Sequence, residues 1–193
     1  KVLHSRCVEI AKKYGVELLV CSSLNRNSGT MVREKTKMEK MLISGVAADK
    51  NVAKIRVAGL GNDPESTFRL LNLLDRNNLN IDVMIQSLGK DGTKSVSFTV
   101  AKPDMLRTID VLNDNKDSLG IKKLDYDENV AKISVIGAGV RSHSGVAAKM
   151  FGALANAGIN TEMVTTSEIR ITALIDEAYA DQAMRAIHET FLE

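Results

Sequence analysis

Two segments of this 193-residue chain are near copies of each other, and this internal repeat limits what the sequence can fold into. VAKIRVAGLG at 52–61 and VAKISVIGAG at 130–139 agree at seven of ten positions, with an offset of 78. Farther along, 68–87 aligns with 148–167 at an offset of 80. The two-residue difference falls in a loop between a strand and a helix, where insertions are tolerated best. The sequence therefore predicts two copies of one unit.

Each copy shows the same order of signals: strand, helix, strand, strand, helix. Alternating β-branched residues predict the first strand, at Ile55 and Val57 in copy one and at Ile133 and Val135 in copy two. In copy one, Phe68, Leu71 and Leu74 then follow helical spacing, and Asn77-Asn78 ends the predicted helix. In copy two, Val146, Met150, Leu154 and Ala157 do the same, and Gly158 is the predicted stop. The other predicted elements are strands over 81–87, 95–100, 161–166 and 169–175, an Asp-Gly hairpin turn at 89–92, and helices over 103–113 and 178–190.

Copy one closes with a fourth predicted strand over 121–126, whereas copy two ends after its second helix. A sheet that lacks this strand would expose an unpaired edge. The unassigned strand at 42–48 can fill the gap, because AADKNVAKI after it parallels YDENVAKI at the end of copy one. The predicted fold is α+β, with two ferredoxin-like βαββαβ domains, the first (50–127) inserted in the second (42–49 plus 128–193).

Composition excludes several classes of protein. A net charge of +2 and seven aromatic residues argue against nucleic acid as a partner. No apolar run reaches the roughly 20 residues of a membrane span, so we expect a soluble, cytoplasmic protein. Residues 1–50 carry ten Lys/Arg against five Asp/Glu, which sets them apart from the rest. Cys7 and Cys21 are too few for a disulfide framework and are expected to be buried free thiols.

A glycine-rich turn joins the first strand to the first helix in both copies, as GLGNDPES at 59–66 and GAGVRSHSG at 137–145. Neither turn is a P-loop, and neither has the GxGxxG spacing of a dinucleotide site. The free N–H groups and the dipole of a helix N-terminus can still receive a carboxylate. The alternative is that the glycines only form a tight turn while Asp63 or Ser142 caps the helix.

Polar side chains recur near these turns at matching positions of the two copies: Asn80, Asp82 and Gln86 in copy one, and Asn160, Glu162, Thr166, Ser167 and Glu168 in copy two. Amides, hydroxyls and carboxylates of this kind can hold the ammonium and carboxylate groups of a free amino acid. The histidines His4, His143 and His188 are scattered, and no spacing suggests a metal site or a nucleophile with its base. The pattern favours a binding module over a complete enzyme.

Several motifs resemble the aspartate kinases (aspartokinases). They are KVLHSRCVEIAKKYGVELLVCSSLNRNSGTMV at 1–32, ISGVAADKNVAKIRV at 43–57, and SVIGAGVRSHSGVAAKMFGALANAGINTEMVTTSEIRITALI at 134–175. TSEIRI at 166–171 and NVAKI followed by a GAG turn are the most specific of these. The resemblance covers essentially the whole chain and corresponds to the C-terminal half of such an enzyme.

The resemblance implies that 1–25 ends the kinase catalytic domain, that 26–41 is a connector, and that the two copies are ACT domains, which bind amino acids. It implies feedback inhibition by lysine, threonine or both of the phosphorylation of L-aspartate to 4-phospho-L-aspartate with ATP and Mg²⁺, the first step towards lysine, threonine, methionine and diaminopimelate. The resemblance also implies that the fragment itself needs no cofactor and lacks the catalytic core. Its partners would be the catalytic domain or subunit and a second chain, with effectors bound where ACT domains of two chains pack.

By motif position, the resemblance implies three sets of functional residues. The first effector site would use Asn62, Asp63, Pro64, Ile81, Asp82 and Gln86, with Asn160 and Thr161 nearby. The second would use Ser142, His143, Gly145, Val146, Thr166, Ser167 and Glu168. Lys1 matches a lysine near the nucleotide of the parent enzyme.

The sequence departs from the family pattern at Ser5 and Ser144, where a proline is usual, and at Glu65, which replaces a glycine. A Cβ and a carboxylate at Glu65 act against an anion at the first helix. Two alternatives stay open: a structural dimerisation module without effectors, which these departures favour, and a free-standing regulatory subunit.

Overall fold

The computed structural model describes residues 3–24, 29–32, 43–142 and 145–192, which divide into two compact units, Lys1–Lys40 and Met41–Glu193. The first unit contains the helix α1 (Ser5–Tyr14) and the antiparallel strands β1 (Leu18–Val20) and β2 (Thr30–Val32). His4 caps α1 through a hydrogen bond from the Arg6 N–H, and Gly15 ends it in the left-handed region at φ 64°. Lys1 lies outside the described residues.

The part of the first unit that the structure describes has almost no core of its own. Among its described residues only Ala11 is a buried hydrophobic, whereas Ile10, Tyr14 and other apolar side chains are exposed. The prediction of buried thiols is wrong, because Cys7 is half-buried and Cys21 is exposed. A single short helix and a three-residue hairpin cannot enclose a side chain on all sides.

The second unit is built on a six-stranded antiparallel sheet with the order β4-β5-β3-β6-β8-β7. None of the helices among the described residues is long and apolar enough to span a membrane. Two 3-10 turns, Lys102–Asp104 and Glu177–Tyr179, follow β5 and β8. The strands and helices of this unit are β3 (Gly45–Leu60), α2 (Pro64–Arg76), β4 (Met84–Leu88), β5 (Lys94–Ala101), α3 (Met105–Asp114), α4 (Lys116–Leu119), β6 (Lys123–Ile136), α5 (Gly139–Ser142), α6 (Val146–Asn156), β7 (Met163–Thr166), β8 (Arg170–Asp176) and α7 (Ala180–Leu192).

The two central strands, β3 and β6, each run through both copies. The first part of β3, 45–49, pairs with 132–136, and its later part, 54–58, pairs with 123–127. Each long strand is thus the first strand of one copy and the last strand of the other, so that each copy has the ferredoxin-like strand order. The predicted fold class is confirmed. The exact domain boundaries, 50–127 and 42–49 plus 128–193, stay predictions.

Each copy has its own core between its helices and one face of the sheet. In copy one, Ile55 and Phe98 pack with helix residues such as Leu70, and all three are 0% exposed. In copy two, Ile133 and Met150 are equally buried. Burial of one such side chain stabilises the fold by about 1.5–3 kcal/mol. The predicted inward face of α2 was partly wrong: Phe68 is 65% exposed, while the buried stripe is Ser66, Leu70 and Leu74.

A third cluster, here called the interface core, lies on the sheet face without helices and consists of Val52, Val83, Val130, Met163 and Leu174. Val83 precedes β4 at one edge of the sheet, whereas Met163 begins β7 at the other edge. In a flat six-stranded sheet these edges would lie about 24 Å apart. The sheet therefore bends, near the register shifts between Asp49 and Lys54, and the helix-free faces of the two copies meet.

Candidate effector-binding sites

The first predicted site begins at the N-terminus of α2, which Asp63 caps. Its Oδ1 accepts hydrogen bonds from the N–H groups of Glu65 (3.0 Å) and Ser66 (2.8 Å), and the Ser66 hydroxyl donates to Oδ2. This hydroxyl is the main reason that the pKa of Asp63 lies below its ordinary value. A Cβ on Gly61 would approach Asp63 Oδ2 to 2.6 Å, so a larger residue there would displace the capping carboxylate. Two N–H groups that could receive a ligand carboxylate are already occupied.

Gln86 lies beside this helix start. Thr67 Oγ1, in the first turn of α2, donates a hydrogen bond of 2.6 Å to Gln86 Oε1. The Lys94 ammonium donates to the Asp63 carbonyl oxygen at 2.7 Å, which ties β5 to the same turn. With Oε1 occupied, the Nε2 donors of Gln86 remain the part of its amide that faces other partners. The structure thus brings the Asn62–Pro64 turn and Gln86 together. Thr67 and Lys94 also belong to this site, although the sequence did not predict them.

Ile81 and Asp82 lie at the opposite end of α2. The helix has 13 residues, so its two ends are separated by about 20 Å. The N–H of Asp82 donates to the Thr99 carbonyl at 3.1 Å, and its carboxylate forms an ion pair with Lys132 of copy two. Strand β4 begins only at Met84, three residues after the predicted start. Within one chain, Asp82 and the Asn62–Pro64 turn do not share a site.

Copy two repeats this arrangement. Gly145 stands at the N-cap of α6 with φ 105° and offers no side chain, and Val146 is the first helical residue. The Gly137 N–H donates to the Ile169 carbonyl at 2.9 Å, which places the turn after β7 beside the glycine-rich turn. Thr166 ends β7, and Ser167 and Glu168 form that turn, with the Ser167 N–H bonded to Arg170 O at 2.7 Å. His143 lies outside the described residues, and the side chain of Ser142 is also outside them.

Asn160 and Thr161 lie past the C-terminal end of α6, as Asn80 and Ile81 lie past α2. They line an open cavity of about 470 Å³ together with Phe151, Leu154, Ala155, Gly158 and Ile159. Gly158 adopts φ 71°, which allows the chain to leave the helix sharply and supports its predicted role as a helix stop. Asn160 and Thr161 thus lie at the opposite end of α6 from the second predicted site, whose described residues gather at the start of that helix and at the turn after β7.

The described residues contain no group of three or more His, Cys, Asp or Glu side chains arranged to hold a metal ion. The polar groups at both helix starts are instead amides, hydroxyls and single charges. Groups of this kind hold small zwitterions through several hydrogen bonds.

Comparison with known proteins identifies the architecture. A profile of the ACT domain family matches residues 133–191. In the crystal structure of the aspartokinase alpha and beta subunits, one chain is 42% identical to this one, with a TM-score of 0.73, and the match covers 77% of this chain and 98% of that one. The regulatory subunit of aspartate kinase from Thermus thermophilus, in its ligand-free form, is 32% identical, with a TM-score of 0.73 and coverage of 78% and 99%.

Curated relatives extend the match to the first unit. The aspartokinase of Pseudomonas aeruginosa is 38% identical over 194 residues, and that of Helicobacter pylori strain 26695 is 40% identical over 197 residues. These alignments cover 99% of this chain but 47% and 48% of the relatives, so the chain spans about half the length of the curated relatives it matches. The chain belongs to the aspartokinase family and contains the ACT-domain regulatory part of such an enzyme.

Proposed function

We propose that this chain binds amino-acid effectors, lysine, threonine or both, and mediates feedback inhibition of aspartate phosphorylation in the cytoplasm. The ATP- and Mg²⁺-dependent reaction itself would belong to a catalytic domain or subunit, of which 1–25 is the C-terminal end. One observation carries the proposal. In copy one, Gln86 of the second strand accepts a hydrogen bond from Thr67 in the first turn of α2. In copy two, the Gly137 N–H of the glycine-rich turn donates to Ile169 O, in the turn that follows Thr166.

The split of the first site between the two ends of α2 supports binding between chains. A ligand at the Asn62–Pro64 turn is about 20 Å from Ile81 and Asp82 of the same copy. A second chain can bring residues such as Asn160 and Thr161 to that turn. Strands β4 and β7 each have one partner in the sheet, so their outer edges are available for this contact. We therefore propose a homodimer that forms through the ACT domains and completes the sites.

The chemistry of the first site constrains how the ligand is held. The first amides of α2 already bind Asp63, and the exposed Glu65 carboxylate lies in the same helical turn. A ligand carboxylate is therefore better placed at the Nε2 donors of Gln86, whose orientation Thr67 fixes. The helix start of copy two has Gly145 in place of a capping carboxylate, and it accepts an anion more readily.

Isothermal titration calorimetry with lysine, threonine, methionine and a panel of other amino acids tests the proposal. Gln86→Ala should weaken binding at the first site about tenfold or more, because it leaves a charged group of the ligand without its donor. Asn113→Ala, on the exposed surface of α3, is the matched control and should bind as the wild type does. If no amino acid in the panel gives a binding signal with the wild-type chain, the proposal is contradicted.

Two features favour a second candidate, a structural dimerisation module without effectors: the Asp63 cap occupies α2, and Glu65 adds a further negative charge there. Sedimentation then shows a stable dimer that no amino acid alters. A third candidate, a free-standing regulatory subunit, is supported by the near-complete coverage of separate subunit chains. A kinase domain encoded in frame upstream would contradict that third candidate.

A further inference from the structure

Two of the ion pairs that cross between the copies use equivalent lysines and equivalent carboxylates. Lys54 and Lys132 occupy the same place in the repeated VAKI motif, and Asp82 and Glu162 are equivalent at the offset of 80. Lys54 of copy one pairs with Glu162 of copy two, and Lys132 of copy two pairs with Asp82 of copy one. Each copy therefore gives a cation to the other and takes one from it. These contacts are called the crossed ion pairs below.

The lysines of the crossed ion pairs are partly removed from solvent. The side chain of Lys132 is 12% exposed, and that of Lys54 is 23% exposed. Lys132 also pairs with Asp49 at 3.3 Å, so two carboxylates hold one ammonium. An ion pair with one poorly hydrated partner is screened less than a pair on the open surface.

The carboxylates lie in the loops that contain predicted effector residues. Asp82 follows Asn80 and Ile81, and Glu162 follows Asn160 and Thr161. An equivalent hydrogen bond attaches each loop to the third strand of its own copy, from the Asp82 N–H to Thr99 O at 3.1 Å and from the Glu162 N–H to Leu174 O at 2.8 Å. In the first loop, Val83 makes two more hydrogen bonds with Thr99. An open cavity of about 300 Å³ borders the first loop and leaves it room to move.

The interface core lies among these ion pairs and has the same symmetry. Val52 and Val130 are equivalent, and so are Val83 and Met163, which come directly after Asp82 and Glu162. A shift of either loop therefore moves an acidic side chain and a core side chain together. The crossed ion pairs and the interface core therefore form a continuous set of contacts from the loop of one copy to the first strand of the other.

We propose that Lys54 and Lys132 are positioning residues that set the helix–strand loop of the opposite copy, so that the two loops, which contain residues of the first predicted effector site, change conformation together. The part of this inference that concerns effectors rests on the proposed function. The coupling between the two loops does not require a ligand. Loss of one lysine frees the loop of the other copy and leaves the loop of its own copy in place.

Hydrogen exchange of the ligand-free chain, read by NMR at single amides, tests the coupling. In Lys132→Met, exchange at the Asp82 amide should rise about fivefold, while the Glu162 amide stays unchanged. In Lys54→Met the pattern should reverse. Lys149→Met, on the exposed face of α6, is the matched control and should alter neither amide. Lys54→Arg keeps a cation and should restore the slow exchange at Glu162.

Two results overturn the coupling: no change at the opposite loop, or a uniform increase at all amides, which is expected for a purely structural contact.

A second arm of the experiment adds threonine or lysine at saturation. In the wild type, a ligand should protect the Asp82 and Glu162 amides together, and in Lys54→Met and Lys132→Met this joint protection should be lost. Joint protection that survives in both variants also overturns the coupling. Absence of any ligand effect in the wild type contradicts the proposed function alone, and the ligand-free arm still decides the coupling.

Discussion

Lys102 and Glu177 form an ion pair of 2.8 Å although they occupy the same position in the two copies. Each is the first residue of the 3-10 turn that follows the third strand. The copies thus meet at these equivalent residues. Two like charges here would repel each other, and the sequences have opposite charges at this point. Both side chains are about one-third exposed, at 31% and 32%, so the pair is partly hydrated.

Charge reversal at this contact should lower stability, and a second reversal should restore it. Lys102→Glu or Glu177→Lys alone places like charges together and should cost about 1 kcal/mol of the free energy of unfolding. The double variant Lys102→Glu/Glu177→Lys should recover most of the loss, and a double-mutant cycle from urea unfolding measures the coupling. Additive losses in the double variant would show that the two residues do not interact.

The Asp63 cap should make stability depend on pH in the acid range. Because the pKa of Asp63 is lowered in the folded state, chiefly by the Ser66 hydroxyl, its contribution is fully present above the unfolded value of about 4. It is lost as the pH falls through the folded value. Asp63→Asn keeps a capping oxygen but does not titrate, so the stability difference between it and the wild type should shrink from pH 7 to pH 3 in urea unfolding. A difference that is constant over this range contradicts the assignment.

Replacement by alanine should change the stability of the fold in opposite directions at two glycines of copy two. Gly145 has φ 105°, a conformation that an alanine adopts only with strain, so Gly145→Ala should cost about 1 kcal/mol or more. Gly152 lies inside α6, and a Cβ there meets no atom within 4 Å, so Gly152→Ala should add about 0.5–1 kcal/mol. Thermal unfolding of both variants measures the contrast, and equal shifts in one direction would argue against it.

The shared strands should make the two copies unfold together. Met150 is 0% exposed in the core of copy two, and Met150→Ala should cost about 2–5 kcal/mol. Since β3 and β6 run through both cores, amides of β5 in copy one should lose as much protection in hydrogen exchange as amides of β8. Undiminished protection of β5 would mean that the copies unfold independently.

The repeat made most of the fold predictable. The match between VAKIRVAGLG and VAKISVIGAG, with helical and strand periodicity after each, was sufficient to predict two βαββαβ units and an inserted copy. The helix ends were equally predictable, since Asp63 caps α2 and Gly158 follows the end of α6 as predicted. These features depend on residues close together in the sequence, whose conformations are set locally.

Features that depend on the bend of the sheet were not predictable. Residues 49–54 read as the boundary between two strands, yet the chain continues as one long strand with shifted register. Because the sequence does not reveal this bend, it does not indicate that Lys54 reaches Glu162 or that Val83 and Met163 belong to one buried cluster. Asp82 and Glu162 accordingly read as ligand-facing carboxylates, whereas in the structure both carboxylates are paired with lysines.

If two coupled ACT modules bind an amino acid, that ligand should stabilise both of them as one unit. The most direct measurement is thermal unfolding of the wild-type chain at increasing concentrations of threonine and of lysine. A ligand that binds only the folded state adds about 2.7 kcal/mol at one hundred times its Kd. We predict that at least one of the two raises the Tm of a single transition of both copies. A Tm that neither amino acid changes up to millimolar concentrations, or a ligand that stabilises one copy and leaves the other unaltered, would contradict the account.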